Sequence, residues 1–133
     1  MTEGVVREIY QRFLESDIEG FLKLCAADIE WVVNGPATLE KCRSFHGIEG
    51  VRDFLSILDR SWAFSFFMPR EFISGGDKVV VLGEEAGANR SSGERFENRW
   101  AHVFTVRDRR IMTFREFLCH WSGEQHPPRM SWQ

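Results

Sequence analysis

The sequence predicts an α+β domain in which a curved, mostly antiparallel sheet wraps around three N-terminal helices and leaves a conical cavity. Three observations carry this. Apolar residues in the first part of the chain recur at three-and-four spacing, the period changes to two from Phe64 onward, and short turn clusters separate the alternating runs.

Thr2 is placed to cap a first helix whose apolar positions are Val5 or Val6, Ile9, Phe13 and Leu14, ending near Ser16. Ser16-Asp17-Ile18-Glu19 reads as a capping box that opens a second, short helix through Phe21, Leu22, Leu24 and Cys25. The first strand spans 29–33 and is closed by Asn34-Gly35-Pro36, after which a polar loop follows. Past His46-Gly47, one stripe of Ile48, Val51, Phe54 or Leu55 and Leu58 faces away from Arg52, Asp53 and Asp59, the signature of a third helix. Strands are expected at 63–73, 78–87, 94–106 and 111–121. Residues 1–122 form one domain in this reading, and 123–133, with Pro127-Pro128, an irregular tail.

Length and composition agree with one such domain. The chain has 133 residues, 43% hydrophobic and 28% charged, with twelve Phe and five Trp against a single Tyr, an excess that points to an aromatic-lined core or cavity. A net charge of −3 with scattered Lys and Arg provides no basic stripe, so nucleic acid is not an expected partner. No apolar run approaches the ~20 residues of a membrane helix, and the first residues contain no signal-like apolar segment. No membrane partner and a cytoplasmic location are therefore expected. Cys25, Cys42 and Cys119 lack paired spacing and are expected reduced. His46, His102, His120 and His126 show no HxxxH or HExxH pattern, so neither a metal nor another cofactor is expected.

The chemistry concentrates in residues 96–121. Strand alternation puts Asn98, Trp100, His102, Phe104 and Val106 on one face of the first run, and Met112, Phe114, Glu116, Leu118 and His120 on one face of the second. A three-residue turn over 107–109 keeps both sets on the same side and makes His102 and Glu116 neighbours. An imidazole and a carboxylate in an apolar wall form a candidate acid–base pair, because burial drives the two pKa values toward neutrality. Phe13, Trp31, Phe54, Trp62, Trp100, Phe104, Phe114 and Leu118 are core residues that become substrate contacts if a cavity lies among them. The opposite face carries Phe117, Cys119 and Trp121, an apolar row that points to a homodimer through the sheet.

Three segments, QRFLESDIEGFLKLCAADIEWVVNGP, FHGIEGVRDFL and HVFTVRDRRIMTFREF, occur in an order that resembles the SnoaL-like branch of the nuclear transport factor two-like superfamily. That branch includes ketosteroid isomerase, polyketide cyclases and limonene epoxide hydrolase, and the resemblance implies a cystatin-like α+β barrel with a ligand-holding cone. Carried over from the isomerase, the general-base Asp falls close to Asn34, the oxyanion-hole Tyr on Phe13 and the protonated Asp on His102. From the epoxide hydrolase, the water-activating Asp matches Glu116, the acid Asp falls on Glu85 and the water-holding Asn on Asn34 with a one-residue gap. Its bridging Arg falls on Gly83 and its Tyr on or beside Val32. The frequent Asp of the last strand is Cys119 here.

The resemblance implies an enzyme that acts without a cofactor on an apolar organic molecule by isomerisation, cyclisation, dehydration or epoxide hydrolysis. His102, Glu116, Asn34 and Glu85 are the candidate catalytic residues. A noncatalytic small-ligand-binding or dimeric interaction module of the same fold is the alternative.

Overall fold

The computed structural model describes residues 2–122, with side chains through residue 119, so the expected tail at 123–133 lies outside the described residues. Helix α1 (Thr2–Leu14) buries Val6, Ile9 and Tyr10 on one face, while Glu3–Arg7 and Glu8–Arg12 pairs bridge successive turns on the other. The buried stripe runs one residue off the expected line. Leu14 is 57% exposed, and Tyr10 lies inside. Ser16 takes a positive φ of 57° in the turn after α1. The cap of α2 (Ile18–Lys23) therefore falls on Asp17 and not on Ser16, with Asp17 Oδ1 accepting from the Gly20 N–H at 3.0 Å.

Strand β1 (Cys25–Asn34) starts earlier than expected, and a three-residue strand β2 (Ser44–His46) appears inside the expected polar loop. Only Phe45 of β2 is buried, so no alternation could announce it. Helix α3 (Gly47–Ser61) buries Val51, Phe54, Leu55, Ile57 and Leu58. Each such fully buried side chain stabilises by about 1.5–3 kcal/mol. Strands β3 (Trp62–Gly75), β4 (Lys78–Asn89), β5 (Arg95–Arg107) and β6 (Arg110–Ser122) complete a curved sheet in the order β2-β1-β6-β5-β4-β3. The sheet is mixed, because β1 pairs parallel with β6, and it does not close, so the barrel is an open one with β2 and β3 as edges.

The β5–β6 hairpin turns on two residues, Asp108 and Arg109, both at positive φ (52° and 61°), and not on the expected three. A two-residue turn alone would put even-numbered residues opposite odd ones. The register shifts by one between Thr105↔Thr113 and Val106↔Ile111, leaving Met112 as the extra residue of a bulge. That bulge restores the parity, and His102 faces Glu116. On the outer face Leu82, Ala101 and Phe117 stand in register across β4, β5 and β6. Phe117 and Cys119 of the expected apolar row are exposed, and the side chain of Trp121 lies outside the described ones. No helix among the described residues is long and apolar enough to cross a membrane.

Candidate active site

His102 on β5 and Glu116 on β6 point together into the space under α1 and α3, each 4% exposed. Their side chains meet at 2.9 Å between Nε2 and Oε2. The other ring nitrogen, Nδ1, lies 2.6 Å from the Tyr10 hydroxyl. Trp100 stacks on the imidazole at 3.8 Å between centroids, with an interplanar angle of 7°, and fixes its plane.

Burial, and then the charge on Glu116, push the Tyr10 phenol well above its ordinary value, so it keeps its proton. With that proton donated to Nδ1, the ring's own proton belongs on Nε2, donated to Glu116. Burial also holds His102 below its ordinary value, against the opposing pull of Glu116. For Glu116, burial favours the neutral acid, but His102 and the charge of Lys41 outweigh it and hold the carboxyl below its ordinary range. The result is a chain of hydrogen bonds from Tyr10 through a neutral imidazole to an ionised carboxylate.

A second buried group completes the site. Glu85 on β4, 3% exposed, accepts from Asn98 Nδ2 at 2.6 Å and lies 3.6 Å from the Lys41 ammonium. Burial raises its pKa, Lys41 opposes that rise and the charge of Glu116 adds to it. Glu84, the other half of the Glu-Glu pair, is half-buried and lies 3.5 Å from Arg70. Lys41 is itself only 3% exposed although it stands in the loop after β1.

These polar groups line a hollow of about 40 Å³, walled by Phe13, Trp31, Phe54, Phe104 and Phe114 among the expected aromatic residues. A buried water needs about 10–15 Å³ of such space, so the hollow holds roughly three. Trp62 lines a neighbouring groove, Trp100 backs His102, and Leu118 packs beside Gly35. Asn34 is outside the hollow. It is exposed, and its amide donates to the main-chain carbonyl of Glu116 at 3.1 Å.

Sequence reasoning missed Tyr10 and Lys41. Tyr10 carried one signal, as the sole phenol among twelve Phe and one turn beyond Val6. Lys41 carried none, since a lysine in a polar loop reads as solvated. The reason no Arg stands at position 83 is steric. A Cβ on Gly83 would lie 2.2 Å from the Trp100 ring, and the buried cation comes from Lys41 instead.

The SnoaL-like domain model matches residues 6–114. The chain belongs to the SnoaL-like family. No curated protein matches it. Among solved structures, an NTF2-like protein from Burkholderia xenovorans LB400 is 25% identical, with a TM-score of 0.81 over 89% of this chain and 88% of that one. An NTF2-like protein of unknown function from Burkholderia pseudomallei K96243 is 26% identical, with a TM-score of 0.80 over 89% and 90%. TerC, co-crystallised with polyporic acid, is 27% identical, with a TM-score of 0.78 over 89% and 91%. This SnoaL-like chain thus shares with them its cone of helices and sheet.

Proposed function

We propose that the chain is a small-molecule enzyme that moves protons on a mainly apolar organic substrate, with Glu116 as base and Glu85 as acid. One observation carries the reading: two buried carboxylates with opposite pKa displacements converge, with Lys41, on one aromatic-walled hollow. Glu116 takes a proton from a bound water or an acidic carbon through the oxygen that His102 does not engage. The Lys41 ammonium meets the charge that develops on the substrate oxygen, and protonated Glu85 supplies the proton that ends up there. Both nitrogens of His102 are engaged, and in this reading it is a positioning residue that holds Glu116. The reaction class is isomerisation, cyclisation, dehydration or epoxide opening. Each acid or base so placed contributes about 10²–10⁴ in rate.

The test is a thermal-shift panel of steroids, polyketides, terpenoid epoxides and polyporic acid, the last chosen because TerC was co-crystallised with it. Turnover of the compounds that bind is then measured with wild type and Glu116→Gln. Abolished turnover in a folded variant supports the mechanism, and undiminished turnover removes it.

The small volume of the hollow and the full engagement of His102 favour a second reading, a noncatalytic binder. It predicts compounds that raise the melting temperature yet leave the wild-type protein unchanged. We also propose a homodimer through the outer sheet face, built on exposed Phe117 and Leu82. A monomeric mass by light scattering at micromolar concentration contradicts that assembly.

A further inference from the structure

The hollow measures about 40 Å³, whereas sites for organic ligands span ~300–1,000 Å³. A substrate enters only if a wall moves. Among the described residues, helices and strands supply every side chain that lines the hollow except one, that of Lys41. Residues 35–43, which carry it, run from β1 to β2 through turns and bends. The backbone hydrogen bonds of this segment among the described residues are local: Leu39 N–H to the Pro36 carbonyl at 3.0 Å, Cys42 N–H to the Leu39 carbonyl at 3.0 Å, and Arg43 N–H to the Lys41 carbonyl at 3.1 Å.

Both ends of the segment are pinned to the sheet. Asn34 donates to the Glu116 carbonyl at 3.1 Å, and the Arg43 carbonyl accepts from the Val33 N–H at 3.0 Å. Between these ends, side chains hold the segment down. On the inside the Lys41 ammonium lies 3.6 Å from Glu85 and 5.5 Å from the centre of the Trp62 ring, and half-buried Cys42 packs against the core. On the outside the exposed Glu40 carboxylate accepts from Arg60, in the last turn of α3, at 2.7 Å. A run of turns fastened in this way opens more readily than a helix or a laddered strand. Water that follows the ammonium out hydrates Glu85 and Glu116, so the open state leaves no dry charge behind.

We propose that residues 35–43 form a lid over the hollow, hinged where they leave β1 and join β2, latched inside by Lys41 on Glu85 and outside by Glu40 on Arg60. Opening carries Lys41 out and clears the way to the two carboxylates. Closing over a substrate returns the ammonium to its oxygen. Only that use of the opened hollow rests on the enzymatic reading. The lid itself does not.

The test is acetylation of the full chain by acetic anhydride, with the rate at each lysine read by peptide mass spectrometry. Lys23 and Lys78 are exposed, whereas Lys41 is 3% exposed and reacts from the open lid. Lys41 is expected to react more slowly than Lys23 in the wild type. Arg60→Gln and Glu40→Gln each speed it about two- to fivefold, the effect of releasing an exposed ion pair, and the double variant speeds it no further than either alone. Alkylation of buried Cys25 by iodoacetamide, which reports unfolding of the whole domain, stays unchanged in all three variants. A Lys41 rate equal in wild type and both single variants overturns the proposal. So does a rise that Cys25 shares, or a wild-type Lys41 that reacts as fast as Lys23. Labelling is read without turnover, so failure here and failure of Glu116→Gln to abolish activity are separate results.

Discussion

Glu85 and Glu116 line one hollow from strands separated only by β5, and they are buried to the same degree, 3% and 4% exposed. Burial alone would displace both pKa values upward. They part because their partners differ. Glu116 receives an imidazole N–H at 2.9 Å from a ring whose other nitrogen is satisfied by Tyr10. Glu85 faces an ammonium at 3.6 Å, beyond hydrogen-bond range, and one neutral amide at 2.6 Å. Compensation is strong at the first carboxylate and weak at the second, so the first is held below its ordinary range and the second above it. A hydrogen bond within range divides the roles, where depth of burial cannot.

The largest effect that tests this contrast is on turnover. Removing the base in Glu116→Gln lowers the rate by about 10²–10⁴, whereas Glu85→Gln, which still carries N–H donors, retains more of it. Stability comes next. Lys41→Met leaves the buried Glu116 carboxylate without its cation and costs about 3–5 kcal/mol in urea unfolding. The double variant Lys41→Met/Glu116→Gln recovers most of that loss, and if it does not, the unpaired Glu116 charge is not the source of the cost.

The pH dependence sharpens the comparison further. His102 has a folded-state pKa below 6.5, so the unfolded chain takes up a proton first, and stability rises with pH through the window beneath 6.5. Glu85 has a folded-state pKa above 4.5, so the folded chain holds a proton the unfolded one has lost, and stability falls as pH rises above 4.5. The two slopes, each up to about 1.4 kcal/mol per pH unit, have opposite signs, that of Glu85 starting just above 4.5 and that of His102 ending at 6.5. Unfolding of Glu85→Gln therefore loses the fall in stability just above pH 4.5, and His102→Gln loses the rise just below pH 6.5. The smallest effect belongs to Tyr10→Phe. It removes one hydrogen bond to His102 and costs about 1 kcal/mol, with the fold intact.

Much of this was legible in the sequence, for reasons that differ by region. Alternation along 96–121 carried the facing of His102 and Glu116, because one buried face imposes a period of two. The turn was misjudged and the register still came out right, since the bulge at Met112 supplies the residue that the shorter turn lacks. The three helices followed from their apolar stripes. Lys41 was illegible because periodicity says nothing about a loop side chain that folds back under a sheet. The ring that excludes a side chain at Gly83 arrives from Trp100 on the neighbouring strand, a contact no local pattern encodes.

The division of charge between the two carboxylates is tested most directly by ¹³C-carboxyl NMR of glutamate-labelled protein, assigned with Glu85→Gln and Glu116→Gln and titrated from acid through pH 4.5 to neutrality. The account predicts that Glu85 loses its proton only above 4.5, its ordinary value, while Glu116 is still ionised below 4.5. Both groups titrating together at 4.5, or Glu116 holding its proton to a higher pH than Glu85, contradicts it.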